Sequence, residues 1–138
     1  MRPLLFVCAF LAQASPVLAQ DFTTAAEVKP ILTAIKPSWI AVRAYEGQDL
    51  LYFTNLLAWR CGIEAVTFGT NGAAPDMPLT MEPCHDGEAQ PNALKMDQGV
   101  LPYVPFDLVL IQSVTVRVTF DDGSTETGDY QRKDVMTP

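Results

Sequence analysis

The sequence predicts a mainly β fold, a small antiparallel sandwich or a strongly curved sheet, with one helix near the N-terminus. Three stretches support this prediction. Residues 114–120 alternate between apolar and polar side chains, as a half-buried strand does. Residues 50–61 form a long apolar run that ends on a cysteine, and residues 28–35 repeat apolar side chains at helical spacing. The alternative is an α+β fold, in which the helix covers one face of a single antiparallel sheet.

The predicted helix lies within residues 21–37. Thr24 and Glu27 stand three positions apart, which fits a capping box at the helix start. Pro30 conflicts with that start, because a proline inside a helix loses a hydrogen bond and clashes with the preceding turn. The helix is therefore either kinked or begins nearer Lys29. Its apolar face consists of Val28, Ile31, Leu32 and Ile35.

Strands are predicted at residues 38–45, 50–61, 63–69, 114–120 and 124–131. The 50–61 run is interpreted as a central strand, because apolar residues occupy both of its faces. A buried helix is the alternative on periodicity alone, and Tyr52, Phe53, Thr54 and the following Gly62 favour the strand. Residues 46–49 are predicted to form the turn that leads into it. The last strand is polar and follows an Asp-Asp-Gly turn, so it belongs at a sheet edge.

Residues 73–92 are predicted to form an irregular, proline-rich segment, in which residues 79–81 are a candidate edge strand. Residues 99–106 continue in an extended conformation. Pro102 and Pro105 exclude this stretch from a central position in a sheet, because proline cannot donate to the hydrogen-bond ladder.

Residues 1–19 have the pattern of a secretory signal peptide. Arg2 supplies the positive charge, residues 4–11 form the apolar core, and Ala19 precedes the expected cleavage point. Residues 20–138 then form a single β-rich domain in the periplasm or outside the cell. The apolar core is roughly half the ~20 residues that a membrane-spanning helix needs, so no membrane span is predicted.

Cys61 and Cys84 are the two cysteines that remain after the predicted cleavage. An even count in an exported protein predicts one disulfide bond between them. On the chain-entropy model, such a bond stabilises the fold by roughly 3 kcal/mol.

The charge balance is acidic, with 9 basic and 16 acidic residues and a formal net charge of −7. Nucleic acids and anionic membranes both attract basic surfaces, so neither is the expected partner.

Enzymatic chemistry finds little support in the sequence. His85 is the only histidine, and no serine lies in a Gly-x-Ser-x-Gly elbow. A disulfide would also prevent Cys84 from acting as a nucleophile beside His85. We therefore predict a protein that is not an enzyme and uses no cofactor, with a small hydrolase as the third hypothesis.

Met77, Met81 and His85 form the most specific group of candidate ligands. Thioether and imidazole are ligands that copper selects, so periplasmic copper handling is the alternative hypothesis. Methionines in apolar loops more often fill gaps against a core, and we favour that interpretation. Tyr45, Tyr52, Trp59 and Tyr103 are candidates for an aromatic ligand groove, although aromatic residues on strands are more often core.

The stretch YFTNLLAWRCGIEAVTFGTNG, residues 52–72, and the overall layout resemble small exported β-rich proteins of Gram-negative bacteria. The stretch SVTVRVTFDDGST, residues 113–125, is similar to hairpins of immunoglobulin-like and fibronectin-like sandwiches. Neither resemblance implies a functional residue. The leading hypothesis is a non-enzymatic secreted or periplasmic module that binds a protein partner or an envelope component.

Overall fold

A computed structural model of the protein describes residue 9, residues 11–12 and residues 21–138. The predicted signal peptide, residues 1–19, falls outside these ranges apart from Ala9, Leu11 and Ala12, so it stays a prediction.

The described chain is mainly β, as predicted, and it forms two antiparallel sheets. In chain order, the elements are α1 (Ala25–Ala34), a 3-10 turn (Lys36–Ser38), β1 (Ala41–Tyr45), β2 (Gln48–Tyr52), α2 (Thr54–Leu57), a second 3-10 turn (Arg60–Gly62), β3 (Ile63–Thr70), β4 (Met77–Pro78), β5 (Tyr103–Asp107), β6 (Ser113–Phe120), β7 (Thr125–Gln131) and α3 (Arg132–Val135). One sheet has the strand order β1-β2-β5, and the other has the order β4-β3-β6-β7. The described chain therefore does not form the single sheet of the alternative prediction.

The N-terminal helix starts where its cap predicts. The Thr24 hydroxyl accepts from the Glu27 amide at 3.3 Å, and the Glu27 carboxylate accepts from the Phe22 amide at 3.2 Å. Because this cap fixes the start at Ala25, Pro30 lies inside the helix, and the predicted alternative start near Lys29 is wrong. The helix lies beside the β6–β7 hairpin, where Lys29 Nζ bonds Asp122 Oδ2 at 2.6 Å.

Side chains from α1, α2 and both sheets meet in one hydrophobic core. Its members include Val28, Leu32, Val42, Leu51, Phe53, Leu56, Val66, Phe68, Val116 and Phe120. The rings of Phe53 and Phe68 lie 5.1 Å apart, and the buried Trp39 indole donates to the Leu32 carbonyl at 2.8 Å. Full burial of a single large apolar side chain contributes about 1.5–3 kcal/mol, so this core is the main source of stability.

The prediction of a continuous strand over residues 50–61 is wrong. β2 ends at Tyr52, and the chain then forms α2 and the second 3-10 turn. The buried residues are Phe53, Leu56, Leu57 and Arg60, which are spaced by three and four positions. That spacing places them on one face of a helical path, and the exposed Thr54 and Asn55 lie on the other.

The first hairpin is tighter than predicted. Tyr45 pairs with Gln48, so the turn contains only Glu46 and Gly47, both of which have positive φ. Such two-residue turns match the twist of the flanking strands. Asp49, which was assigned to the turn, is instead a fully buried residue of β2. The first strand also begins at Ala41 and not at residue 38.

A bulge interrupts the strict alternation of faces along β3. The register shifts between Ile63 and Ala65, so Ile63 is buried on the same side as Val66 and Phe68. A bulge inserts one extra residue into a strand, so the side chains on either side of the bulge can point to the same face of the sheet. The predicted edge positions are confirmed for β7 and for β5, which carries Pro105. The edge strand expected at residues 79–81 lies earlier, at Met77–Pro78.

Candidate functional site

The connection between β5 and β6 carries three exposed apolar side chains in succession. Leu108 is 49% exposed, Val109 57% and Leu110 43%, whereas the next residue, Ile111, is fully buried. Single exposed apolar residues are ordinary on protein surfaces, but a contiguous group is characteristic of an interaction surface. We refer to Leu108, Val109 and Leu110 as the apolar loop.

An ion pair holds the base of the apolar loop. Arg132 donates to both carboxylate oxygens of Asp49, from Nη2 at 2.9 Å and from Nη1 at 2.5 Å. Nη1 also donates to the Ile111 carbonyl at 2.7 Å, while the Ile111 amide donates to Asp49 at 3.3 Å. The Arg132 hydrogen bonds lower the pKa of Asp49. Two-point pairing of this kind fixes geometry as well as charge, so the loop is joined rigidly to β2 and α3.

Asn71 holds the same end of the loop, where the chain leads into β6. This residue follows β3, and its side-chain amide donates to the Leu110 carbonyl at 2.8 Å. Its side-chain oxygen accepts from the amides of Gln112 at 2.8 Å and Ser113 at 3.2 Å. Asn71 has a φ of +55°, a left-handed conformation that asparagine tolerates better than most residues. These contacts all lie at the β6 end of the loop, while its three side chains are exposed. At the β5 end, the Leu110 amide donates to the Asp107 carbonyl at 3.0 Å.

Val109, at the tip of the apolar loop, has an unfavourable backbone conformation. Its φ is +65°, in the left-handed region that β-branched residues rarely adopt. Such strain persists only where the surrounding structure enforces it, and it is concentrated at binding and catalytic sites. The clamps from Asp49, Arg132 and Asn71 supply that enforcement.

The apolar loop adjoins the outward face of the three-stranded sheet. β5 ends at Asp107, which pairs with Gln48, and Gln48 pairs with Tyr45. Directly opposed residues share a face of an antiparallel sheet, so the exposed Tyr45 lies at the loop end of this face. The polar residues Gln48 and Asp107 lie between Tyr45 and the apolar loop on this face.

The proline-rich segment is fastened to the core by Arg60. Its guanidinium donates to the backbone carbonyls of Glu82, Pro83, Asn92 and Ala93 at 2.6–3.1 Å. Nη2 also lies 3.0 Å from Glu82 Oε2, and both side chains of this ion pair are buried. The segment is therefore an ordered part of the fold, although it contains little regular secondary structure.

Glu82 is the second centre of this network. Its carboxylate accepts from the backbone amides of Lys95 at 3.0 Å and Met96 at 2.6 Å, and it lies 2.8 Å from His85 Nε2. Burial by itself would raise the pKa of Glu82. The amide hydrogen bonds, His85 and the Arg60 charge outweigh burial and lower this pKa to about 2.

The predicted disulfide is confirmed, with the sulfur atoms of Cys61 and Cys84 2.09 Å apart. It lies beside the Arg60 network. The Cys61 amide donates to the Asn92 side-chain oxygen at 2.8 Å, and the Asn92 amide donates to the Phe22 carbonyl at 2.9 Å. These contacts join the middle of the proline-rich segment, at Cys84, and its C-terminal end, at Asn92, to the rest of the fold.

The three candidate copper ligands lie in different surroundings. Met77 is exposed on β4 and lines a concavity between β4 and residues 99–104. Met81 lines another concavity beside the disulfide, and His85 contacts Glu82. Among the described residues, no group of three or more His, Cys, Asp or Glu side chains is arranged to hold a metal ion. Copper handling through Met77, Met81 and His85 stays a prediction.

The hydrolase hypothesis depends on His85, the single histidine. Its ring contacts Glu82 and lies 3.8 Å from a Glu88 oxygen. The Ser124 hydroxyl donates to Asp122 at 2.6 Å. Within residues 21–138, no hydrogen bond joins a serine to His85, and the hydrolase hypothesis stays a prediction.

The four aromatic residues predicted for a ligand groove divide into two groups. Tyr45, Tyr52 and Tyr103 lie on the outward face of the first sheet, where the rings of Tyr52 and Tyr103 are 5.1 Å apart. Trp59 instead packs edge-on against Phe22, with ring centroids 5.1 Å apart. The two groups therefore belong to separate surfaces.

Comparisons of the chain with protein-family models, with curated proteins and with solved structures found no match. No helix in the described part of the chain combines the length and apolarity required to cross a membrane.

Proposed function

We propose that this protein is a non-enzymatic binding module, exported to the periplasm or secreted, which binds a protein partner through the apolar loop. The observation that carries the proposal is the combination of three consecutive exposed apolar side chains with a backbone that Asp49, Arg132 and Asn71 hold at the end of the loop next to β6. A fold gains no stability from leaving such side chains in water, so their exposure favours a role in binding.

Rigidity supports a binding role over a merely irregular loop. Ordering a flexible loop on association costs free energy, and a loop that is already ordered avoids that cost. The strained Val109 at the tip agrees with this interpretation, because the clamps hold it in a conformation that valine disfavours.

Charge and redox chemistry support the choice of partner and compartment. A net charge of −7 disfavours an anionic membrane or a nucleic acid, whereas a protein with an apolar pocket is compatible with both the loop and the charge. The Cys61–Cys84 disulfide is typical of an oxidising compartment, and export is the interpretation that agrees with it.

The test is capture of partners from the exported fraction of the native host with three forms of the protein. The forms are the wild type, a Leu108→Ser/Leu110→Ser variant and a Leu101→Ser control. Leu101 is 49% exposed, like Leu108, but lies outside the loop. We expect one protein to be enriched by wild type and control and lost with the loop variant. Equal enrichment by all three forms would refute the proposal.

A further inference from the structure

Arg43 is an arginine with no ionic partner among the residues that the structure describes. It lies on β1, and its guanidinium carbon is 4.7 Å from the centre of the Tyr45 ring. No carboxylate of residues 21–138 lies within salt-bridge distance of it, and none of the recorded hydrogen bonds uses its N–H groups.

Arg43 lines a concavity of about 370 Å³ at the end of the sheet away from the apolar loop. The walls combine aromatic and aliphatic groups with short polar side chains: Trp39, Ile40, Tyr52, Thr54, Asn55 and Thr137. The Asn55 amide is already committed to the Ser38 carbonyl at 2.7 Å. Arg43 is therefore the one cationic group among the residues that line this concavity.

This composition selects a particular ligand chemistry. A guanidinium offers paired N–H donors in a plane, which match the two oxygens of a carboxylate. Stacking on Tyr45 holds the guanidinium plane by a cation–π contact and leaves its edge available. The aromatic and aliphatic walls suit an apolar group attached to that carboxylate, and the volume is within the range of small-ligand sites.

We propose that the concavity beside Arg43 is a binding site for a carboxylate carried on an apolar stem. Arg43 binds the carboxylate, and Tyr52 and Ile40 contact the stem. The site goes beyond the proposed function, because it does not use the apolar loop. The carboxylate has two possible sources, a free small molecule or an acidic side chain of a protein.

The experiment is an NMR titration of the intact protein that follows the backbone amide signals of Ala41 and Asn55, which line the concavity, in every form, and the Arg43 Nε–H signal where Arg43 is present. The first probe is phenylacetate, and its neutral isostere phenylacetamide is the matched control. The second probe is a blocked tripeptide with a central glutamate and aromatic neighbours, which represents a protein source. Saturable shifts with phenylacetate indicate a free ligand, and tighter binding of the tripeptide indicates a protein ligand.

Three variants test whether binding depends on Arg43 itself or only on the net charge of the protein. We expect Arg43→Gln to weaken binding of the responding probe at least about tenfold, as expected for a lost charged hydrogen bond. Arg43→Lys should retain part of the affinity, because it keeps the charge and loses the planar fork. Arg117→Gln is the control, since Arg117 also lies on a strand and forms no ion pair within the described chain.

Three outcomes would overturn the proposal. These are equal binding of phenylacetate and phenylacetamide, unchanged affinity in Arg43→Gln, or no shift with any probe up to tens of millimolar. If the apolar loop binds no protein, the results of these three NMR measurements do not change. The two proposals can therefore be refuted independently of each other.

Discussion

Arg60 Nη2 and Glu82 Oε2 lie 3.0 Å apart in an ion pair whose side chains are both buried. Arg60 follows α2, whereas Glu82 lies in the proline-rich segment. The pair therefore connects the core to the longest irregular part of the described chain. It lies next to the Cys61–Cys84 bond, so a covalent and an ionic contact hold the same junction.

The first prediction concerns the removal of one charge from this pair. Glu82→Gln leaves the Arg60 charge buried without its partner, and we expect the free energy of unfolding to fall by about 3–5 kcal/mol. Chemical denaturation measures this change. Glu88→Gln is the control, because Glu88 is exposed and its carboxylate pairs with the exposed Lys95 and lies 3.8 Å from His85 Nδ1. Equal stabilities for the two variants would mean that the buried pair is not important for folding.

The second prediction concerns stability in acid. The pKa of Glu82 is lowered from 4.5 to about 2 in the folded protein, so its ionised form favours folding. That contribution is complete above pH 4.5 and is lost as the pH falls toward 2. We expect the unfolding free energy to decrease over this window more steeply in the wild type than in Glu82→Gln. Parallel pH profiles for the two proteins would contradict the lowered pKa.

The third prediction concerns Val109. Its φ of +65° is costly for a β-branched residue, whereas asparagine accepts this conformation. We expect Val109→Asn to stabilise the protein by about 1 kcal/mol, measured by urea denaturation. Val109→Ala is the control, since it shortens the side chain and keeps the cost of a Cβ at positive φ. A loss of stability in Val109→Asn would show that the tip is not strained.

The fourth prediction concerns copper. His85 Nε2 is 2.8 Å from Glu82, and Met77 and Met81 line separate concavities. We therefore expect copper(I) titration to give the same weak binding for wild type, His85→Ala and Met81→Ala. Tight binding that disappears in either variant would favour copper handling over the proposed function.

Patterns with a short repeat were sufficient to predict much of the fold. Val114, Val116 and Val118 alternate with polar residues, and all three are buried in β6 as the period of two requires. Thr24 and Glu27 predicted the helix cap for a similar reason, because their partners lie within a few residues. The prediction of a strand over residues 50–61 failed because apolar residues in so short a stretch fit a strand and a helix equally well.

The interaction surface was not predictable in the same way. Asp49 lies in a polar stretch that favoured a turn, and its partner Arg132 is 83 positions away. The residues of the apolar loop have the composition of a core segment, and only the course of the chain leaves them exposed. The importance of Arg60 could have been predicted from the sequence, because a charged residue within a buried apolar run requires a partner.

Site-specific photo-crosslinking in the native host tests directly whether the apolar loop contacts a protein partner. A photoreactive residue at position 109 probes the tip of the apolar loop, and one at position 127 probes the exposed edge strand β7 of the other sheet. We expect one discrete protein adduct from position 109 and none from position 127. The absence of an adduct at position 109, or the same adduct from both positions, would contradict this expectation.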